Sequence, residues 1–347
     1  MRLSAPGSQP FRAHKPENDT MIMTLQDVWN EYKQDMEKME QSIFENLGSD
    51  VPLIQQVGKY ILNAGGKRFR PMLLLLSARL CGYQGNGSDY LLGSVVEFIH
   101  TASLLHDDVV DEAKLRRGQS SANSLWGSQA SILVGDYLYS KALSHAVGLK
   151  NQRVMDTLAE TTTTMSEGEV LQLMQIQNVD LTESDYYRLV ESKTGVLIIA
   201  SCKLGAIISN APATREEALA EYGRKLGLAF QITDDTLDYT ADQKQLGKAL
   251  GKDLAEGKVT LPFINLISKV TPLERDKLKE ILEADTITDD HLAYTFELMG
   301  TYGAVDEALE TAQTFSREAA RALEVFPDSH ARQSLLALAE YVVQRER

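Results

Sequence analysis

The sequence predicts an all-α protein, a large helical bundle formed by a single domain. Apolar residues recur at three- and four-residue steps through most of the 347-residue chain, which is the period of an amphipathic helix. Strand-like alternation of apolar and polar residues is almost absent. Several of the periodic stretches are apolar on more than one face, which is typical of helices buried inside a bundle.

The predicted helices follow one another with short breaks. Residues 82–88 form a glycine-rich break, and Pro212 ends another helix. Thr214 and Glu217 have the spacing of a capping box at the start of the helix that follows. Since no long linker divides the chain, we expect one domain over residues 23–347. The predicted helices cover residues 23–47, 72–80, 90–106, 122–147, 153–175, 215–239, 302–323 and 332–343.

Composition and charge exclude several classes of protein. The formal net charge is -14 and no basic stripe is visible, so we expect no nucleic-acid partner. The chain lacks a run of about eighteen apolar residues, so we predict no transmembrane helix and a cytoplasmic protein. Cys81 and Cys202 lie in apolar surroundings and are interpreted as buried thiols of a reducing compartment. Residues 1–22 are polar, contain several prolines, and are predicted to be a disordered tail.

Two motifs of the form DDxxD are the main indication of function. Residues 102–111 resemble residues 229–238, and both segments are apolar before they end in the motif. In a helix, positions i and i+4 lie on one face, so the outer aspartates of each motif are neighbours. Such like-charged pairs are unfavourable unless a cation neutralises them, and Mg²⁺ takes one or two carboxylates together with phosphates and water. The two clusters are Asp107, Asp108 and Asp111, and Asp234, Asp235 and Asp238.

A single DDxxD motif is equally compatible with a solvated acidic helix face. The apolar residues just upstream, such as Leu104, Leu105 and Ile232, argue against that alternative. The second copy argues against it further. Two facing copies would place both acidic clusters across a shared cavity.

Basic residues accompany glycines near both clusters. One pair lies in the loop GGKRFRP before an apolar helix, where the helix start favours anions. A second pair follows the first cluster, and two lysines in a glycine-lysine segment follow the second. Arginine offers planar bidentate donors to phosphate, so these side chains are candidates for holding a diphosphate; a plain salt bridge or a solvated charge is the alternative for each. They are Lys67 and Arg70, Arg116 and Arg117, and Lys248 and Lys258.

Five segments together resemble one known family, the trans-isoprenyl diphosphate synthases, and most closely its bacterial octaprenyl-type members. They are GGKRFRP from Gly65, EFIHTASLLHDDVVDEAKLRRG from Glu97, SKTG from Ser192, FQITDDTLDY from Phe230 and GKALGKDLAEGKVTLP from Gly247. The resemblance implies the isoprenoid synthase fold around a central cavity, a homodimer and a Mg²⁺ cofactor. It also implies repeated addition of isopentenyl diphosphate to an allylic diphosphate such as farnesyl diphosphate.

The resemblance implies a role for each matched side chain. The implied Mg²⁺ ligands are Asp107, Asp111 and Asp234, with Asp108, Asp235 and Asp238 in support. The implied isopentenyl diphosphate site is Lys67, Arg70, His100 and Arg117, and the implied holders of the allylic diphosphate are Arg116, Lys193, Lys248 and Lys258. Lys193, Thr194 and Gln231 form the implied catalytic group, the last two beside the developing carbocation. His106 has no such match and is interpreted as structural.

Product length and the type of activity stay open at the level of the sequence. Ala102 and Ser103 are small residues one turn before Asp107, where members of the resembled family that make short products carry bulky residues. The resemblance therefore implies a long, octaprenyl-like product for a quinone side chain. Close helix packing is a second explanation for their size, and a farnesyl or geranylgeranyl product is a second possible outcome. A terpene cyclase, a non-catalytic subunit of a heteromeric synthase and a helical scaffold are each compatible with part of the pattern. A waxy product is compatible with transient membrane contact, although no amphipathic anchor is identifiable.

Overall fold

The computed structural model describes residues 23–240, 251–284 and 286–345. The predicted tail, residues 1–22, lies outside the described residues, and so does Lys248. Within the described ranges the chain is helical nearly throughout, which confirms the predicted fold class. Among these helices, none combines the length and the apolarity that crossing a bilayer requires.

The first half of the chain forms long helices and one short hairpin. The helices are α1 (Leu25–Glu31), α2 (Lys33–Asn46), α3 (Pro52–Asn63), α4 (Phe69–Leu80), α5 (Ser88–Val110), α6 (Ala122–Trp126), α7 (Ser128–Gly148) and α8 (Gln152–Met174). Between α5 and α6, strands β1 (Leu115–Arg116) and β2 (Gln119–Ser120) pair in antiparallel orientation.

The second half continues the bundle. Its elements are α9 (Glu183–Val190), a π-helical turn (Glu191–Gly195), α10 (Val196–Ile208), α11 (Ala213–Thr240), α12 (Lys252–Ala255), α13 (Leu261–Ile267), α14 (Pro272–Leu282), α15 (Asp289–Tyr302), α16 (Ala304–Ala322), a 3-10 turn (Leu323–Val325) and α17 (His330–Gln344).

Helices α4 and α10 lie in the middle of the bundle because both are apolar on nearly every face. Helix α4 packs against α5, α10 and α17, and α10 also packs against α8 and α11. Gly205 permits the close approach of α10 to α4. A Cβ atom at that position would lie 2.6 Å from the carbonyl oxygen of Leu74.

Helix α11 takes part in two hydrophobic clusters. Leu219 and Leu226 belong to a large cluster built from α1–α8, α10 and α17. Ile232 and Tyr239 belong to a second cluster, formed with α9 and the helices after residue 251. The second DDxxD motif therefore lies on a helix that is packed along most of its length, which limits its movement.

Several predicted helix boundaries are wrong. The stretch predicted as one helix over residues 122–147 is divided at Gly127 into α6 and α7, and the helix predicted over residues 90–106 extends over Ser88–Val110. Helix α4 begins at Phe69 instead of Met72, so Arg70 lies within its first turn. Helix α11 begins at Ala213, which places Thr214 inside the helix and rules out the predicted capping box. The stretch predicted as one helix over residues 23–47 is divided at Tyr32 into α1 and α2. Hydrophobic period locates a helix along the chain but does not fix its ends.

Candidate active site

The first acidic cluster lies at the end of α5. Asp107 and Asp108 belong to its last turn, and Asp111 is the C-cap residue, whose amide donates to the Asp107 carbonyl oxygen at 2.8 Å. Asp108 is buried, and both of its carboxylate oxygens accept from Nε of Arg116 at 2.8 Å. Asp107 and Asp111 remain partly exposed. Asp108 therefore positions Arg116, while the outer two carboxylates are available to a ligand.

Asp107 occupies an electrostatically unfavourable position. Burial raises the pKa of Asp107 to about 6. Lys193 opposes this shift, whereas Glu169 and Asp111 add to it. A carboxylate whose ionised form is disfavoured in this way gains from any cation that binds beside it.

The second acidic cluster lies in the last turns of α11. Asp234 is largely exposed, and its Oδ1 lies 3.1 Å from a guanidinium nitrogen of Arg345. Asp238 accepts a hydrogen bond from the backbone amide of Asp253 at 2.8 Å. Burial raises the pKa of Asp253 well above its ordinary value, and neighbouring aspartates contribute. Asp253, on the short helix α12, thus adds a fourth carboxyl group to this cluster.

A cavity lies against the second cluster, and Asp235 and Asp253 form part of its wall. Lys258 lies in its wall and also donates to Oδ2 of Asp111 at 3.3 Å, which links the cavity to the first cluster. Burial disfavours the charged form of Lys258, but the carboxylates of Glu256 and Asp111 outweigh it and raise the pKa of Lys258. The polar lining includes Lys193, Thr194, Gln231, Asp235 and Lys258. The second motif therefore lines this cavity directly, and the first is linked to it through the contact of Asp111 with Lys258.

The π-helical turn contains Lys193 and Thr194. Such turns are rare and are often found at functional sites. A Cβ atom on Gly168 of α8 would lie 2.8 Å from the backbone nitrogen of Lys193, and one on Gly227 of α11 would lie 2.8 Å from Cα of Gly195. The absence of side chains at these two positions lets α8 and α11 hold the turn between them.

Lys193 is fixed by α8. Its Nζ lies 2.6 Å from a carboxylate oxygen of Glu169 and 2.5 Å from Oε1 of Gln172. The ammonium group is therefore directed towards the polar end of the cavity before any substrate binds.

We expect Gly168→Ala to lower the turnover number about 10- to 100-fold, because a displacement of catalytic groups by about 1 Å has an effect of this size. The added methyl group must push the backbone of Lys193 away from α8. Steady-state kinetics and the thermal midpoint should be measured together. Gly148→Ala is the matched control, since a Cβ atom there meets no atom within 4 Å. Wild-type turnover in Gly168→Ala would show that the turn tolerates the shift.

A hydrogen-bond chain crosses the cavity wall. Oγ1 of Thr194 donates to Oε1 of Gln231 at 2.9 Å, and Nε2 of Gln231 donates to Oδ1 of Asp235 at 2.7 Å. The hydroxyl of Tyr186 donates to Oδ2 of Asp235 at 2.6 Å. Burial raises the pKa of Asp235 to about 7, although both hydrogen bonds act in the opposite direction. Sequence analysis found three of these residues and missed Tyr186.

A separate cationic group is formed by Arg70, His100 and Arg117. The guanidinium of Arg117 lies over Gly66, where a Cβ atom would approach its Nη1 to 2.9 Å. Burial lowers the pKa of Arg70 to about 10. Burial also lowers the pKa of His100 well below its usual range, with Arg70 and Arg117 as further causes. The predicted isopentenyl diphosphate residues Arg70, His100 and Arg117 are therefore neighbours.

One carboxylate, Glu97, serves several arginines in this region. Its charge favours the protonated forms of Arg70 and Arg117, but its ion pair, at 2.8 Å, is with Arg68. Nε of Arg70 is buried and has no hydrogen-bond partner among the described residues. Buried positive charge in excess of its counter-ions is costly, so the group is suited to receive an anion.

Lys67 does not join this group in the structure. Its Nζ donates to the hydroxyl of Tyr341 on α17 and lies 4.7 Å from the centroid of that ring. Its predicted role in binding a diphosphate stays a prediction. His106 bonds the carbonyl oxygen of Ile132 at 3.1 Å and packs over Gly135, which agrees with a structural role.

Arg345, near the C-terminus, is a site residue that sequence analysis missed. Its guanidinium lies 3.9 Å from the ring centroid of Phe230 and also donates to Asp234. Phe230 in turn packs against Phe69 at the start of α4. No motif surrounds Arg345, and its contact depends on how α17 packs against α4 and α11. Glu169, Gln172 and Tyr186 also lie outside the motifs and were missed, and so was Asp253, although it lies within the segment GKALGKDLAEGKVTLP.

The acidic clusters fit Mg²⁺ when a phosphate ligand completes the site. Among the described residues, no three His, Cys, Asp or Glu side chains are close enough to hold a metal alone. Mg²⁺ is usually bound by one or two carboxylates plus substrate phosphates and waters. The outer carboxylates Asp107 and Asp111 provide hard oxygen donors in that number. The donor set therefore suits a metal ion that binds together with a diphosphate.

Comparison with known proteins decides the family. The family model described as polyprenyl synthetase matches residues 51–299. The chain belongs to the polyprenyl synthetase family. The octaprenyl diphosphate synthase of Escherichia coli is 41% identical over 326 residues, covering 94% of this chain and 100% of that protein.

Solved structures of this family agree with the fold. The decaprenyl diphosphate synthase of Rhodobacter capsulatus superposes with a TM-score of 0.88 at 41% identity, covering 93% of this chain and 99% of the other. A polyprenyl synthase of Caulobacter crescentus, complexed with calcium and isoprenyl diphosphate, has a TM-score of 0.88 at 36% identity, covering 94% and 99%. The resemblance and the isoprenoid synthase fold predicted from the five segments are thus confirmed.

Proposed function

We propose that this chain is a trans-polyprenyl diphosphate synthase. It adds isopentenyl diphosphate units head-to-tail to an allylic diphosphate such as farnesyl diphosphate and uses Mg²⁺. The product is a long, octaprenyl-like chain for the side chain of a quinone. Residues 23–347 act as one unit in this proposal, which the participation of α11 in both hydrophobic clusters supports.

The observation on which the proposal rests is the presence of two different places for a diphosphate. One is the cavity beside the second acidic cluster, whose wall includes Lys258, which lies 3.3 Å from Asp111 of the first cluster. The other is the group of Arg70, His100 and Arg117, where Nε of the buried Arg70 has no hydrogen-bond partner among the described residues. A cyclase acts on one diphosphate and needs only the first place. Elongation joins two diphosphate substrates and needs both.

Chain residues supply most of the proposed chemistry. Asp107, Asp111 and Asp234 would hold Mg²⁺, which when bound supplies positive charge to the departing diphosphate. Lys193 and Lys258 add fixed cationic donors where negative charge develops.

Uncharged polar side chains stabilise the allylic cation in this proposal. Thr194 and Gln231 present oxygen dipoles to the allylic cation without offering a strong nucleophile. Arg70 and Arg117 hold isopentenyl diphosphate so that its double bond attacks that cation. Holding both substrates in the correct geometry contributes a large part of the rate. The proton released after the new bond forms passes to the departing diphosphate.

The direct test is a product assay. Purified protein is mixed with Mg²⁺, farnesyl diphosphate and isopentenyl diphosphate, and the products are separated by chain length. We expect long linear products. Cyclic hydrocarbons formed from the allylic substrate alone would replace this proposal with a cyclase. An absence of turnover in every combination would favour a non-catalytic subunit or scaffold.

We expect Ala102→Tyr to shorten the product. Ala102 is fully buried on α5, one turn before the acidic cluster, and a bulky ring there would block the path of a growing chain. Product length is measured by chromatography. Ala319→Tyr is the matched control because it overfills a fully buried alanine on α16 and should reduce stability without changing length. An unchanged length distribution in Ala102→Tyr would leave helix packing as the reason for the small residue.

A second copy of this chain is the proposed partner. Helix α7 exposes apolar side chains at helical spacing, among them Leu133 (66% exposed) and Val147 (58%). The adjacent α8 adds Val170 and Met174, which are 58% and 72% exposed. Exposed apolar patches of this kind are typical of protein interfaces. The homodimer implied by the family resemblance would cover them.

Leu133→Glu is expected to shift the protein from dimer to monomer, because a charge placed in an apolar interface loses its hydration without gaining a partner. Analytical ultracentrifugation at micromolar protein measures the change. Leu273→Glu is the control, since Leu273 on α14 is 81% exposed and does not belong to the exposed apolar side chains of α7 and α8. Equal masses for the wild type and Leu133→Glu would exclude this face as the interface.

A further inference from the structure

Tyr186 is a buried residue that has no role in the proposed mechanism. It lies on α9, is 2% exposed, and packs in the second hydrophobic cluster. Its hydroxyl donates to Asp235, and the chain of hydrogen bonds continues through Gln231 to Thr194. Tyr186, Asp235, Gln231 and Thr194 all line the cavity. Tyr186 is thus connected to the groups that face the allylic substrate, although it lies at the far end of the chain of hydrogen bonds.

The hydrogen bonds in this chain share one direction. Asp235 accepts once on each carboxylate oxygen, from Tyr186 at 2.6 Å and from Gln231 at 2.7 Å. The amide of Gln231 therefore turns its NH₂ group towards Asp235 and its carbonyl oxygen towards Thr194. The Thr194 hydroxyl uses its hydrogen in the bond to that oxygen. Thr194 and Gln231 can therefore offer only oxygen lone pairs to a ligand in the cavity.

We propose that Tyr186 is a positioning residue that, through Asp235, fixes the amide of Gln231 so that the cavity meets oxygen lone pairs instead of N–H groups. This inference rests on the proposed function and deepens it. Oxygen lone pairs stabilise a passing allylic cation, whereas N–H groups would repel it. Tyr186 itself contacts neither substrate nor metal in this assignment.

The hydroxyl of Tyr186 matters because Asp235 is only 6% exposed. Without that donor, one carboxylate oxygen would be buried and unsatisfied, which is unfavourable. The carboxyl group would then be free to rotate, and the amide that it orients would rotate with it. Tyr186→Phe removes the donor and keeps the aromatic packing.

Steady-state kinetics with saturating Mg²⁺ provide the first test. Tyr186→Phe should lower kcat about 10-fold or more, the range expected for a lost hydrogen bond to a charged group. The KM values and the Mg²⁺ requirement should stay close to those of the wild type, while the thermal midpoint should fall because one oxygen of the buried Asp235 loses its donor. Tyr187→Phe is the matched control. The hydroxyl of Tyr187 donates to Glu183 on the outer side of α9, so kcat should not change.

A pair of unreactive analogues provides the second test, which needs no turnover. One is an allylic diphosphate with a protonated amine at the cationic centre, and the other is an allylic thio-diphosphate whose hydrocarbon part carries no charge. Tyr186→Phe should weaken binding of the ammonium analogue by about the same factor as kcat falls, and leave the analogue without the amine unaffected. The ratio of the two affinities comes from one protein sample and is insensitive to partial misfolding.

Three results would overturn the inference: equal weakening of both analogues, no weakening of either, or recovery of kcat at high Mg²⁺. The last would assign Tyr186 to the metal site. Failure of the wild type to elongate any chain would instead count against the proposed function. A wild type that elongates, beside a Tyr186→Phe variant that matches it in kcat and affinity ratio, would count only against Tyr186.

Discussion

Asp107→Asn is expected to reduce chain elongation at least about 1,000-fold, because a bound metal contributes several kcal/mol of charge stabilisation and each 1.4 kcal/mol is tenfold in rate. Asparagine keeps the size of the side chain but removes the negative charge. The rate is measured from incorporation of labelled isopentenyl diphosphate at several Mg²⁺ concentrations. Asp156→Asn, on the exposed side of α8, is the control.

The same substitution should stabilise the protein when metal is absent. Since the folded-state pKa of Asp107 is raised to about 6 from 3.8, the ionised carboxylate destabilises the fold at pH 7. The thermal midpoint of Asp107→Asn should exceed that of the wild type at pH 7 in EDTA. This difference should shrink as the pH falls below 6 and vanish below 3.8, where Asp107 is protonated in both states. Near-wild-type elongation by Asp107→Asn would remove this residue from the metal site.

The fold could be predicted from the sequence because its helices have a clear period and its breaks contain glycine and proline. Helix ends were less accessible. Arg70 was placed before α4, whereas the structure includes it in the first turn. The predicted capping box at Thr214 failed because α11 begins one residue earlier. Such details depend on neighbouring elements, which local sequence does not describe.

The site could be predicted where its residues lie in local motifs. The second DDxxD segment lines a cavity to which Lys258 links Asp111 of the first, and Arg70, His100 and Arg117 are neighbours. Arg345 could not be predicted as a site residue, because it contacts Asp234 only through the packing of α17 against α4 and α11. Motif membership also did not determine the side-chain partner of Lys67.

Carboxylates of the site are paired with cations of the same chain. Asp108 is paired with Arg116, Asp111 with Lys258 and Asp234 with Arg345. Under the proposed function, arrival of a metal-bound diphosphate must replace some of these pairs. The cationic group around Arg70 is different, since Glu97, whose charge acts on Arg70, forms its ion pair with Arg68.

Arg70→Met should therefore weaken the binding of isopentenyl diphosphate without lowering the thermal stability of the protein. Loss of one partner of a buried charged hydrogen bond costs about 2–5 kcal/mol, so KM for isopentenyl diphosphate should rise about 30-fold or more. The thermal midpoint of the free protein should stay constant or rise, because a buried guanidinium whose Nε has no partner is replaced by an apolar side chain. KM for the allylic substrate should change little. Kinetics with each substrate varied in turn, together with thermal denaturation, measure all three quantities.

Arg79→Met, on the same helix, is expected to show the opposite pattern. Arg79 pairs with Asp89 at 3.2 Å, and Asp89 is fully buried. Removing its partner leaves a buried charge uncompensated, which costs about 3–5 kcal/mol of stability. KM for isopentenyl diphosphate should be unchanged wherever the variant remains folded. A fall in stability in Arg70→Met, with KM unaltered, would mean that Arg70 supports the fold and that the second diphosphate lies elsewhere.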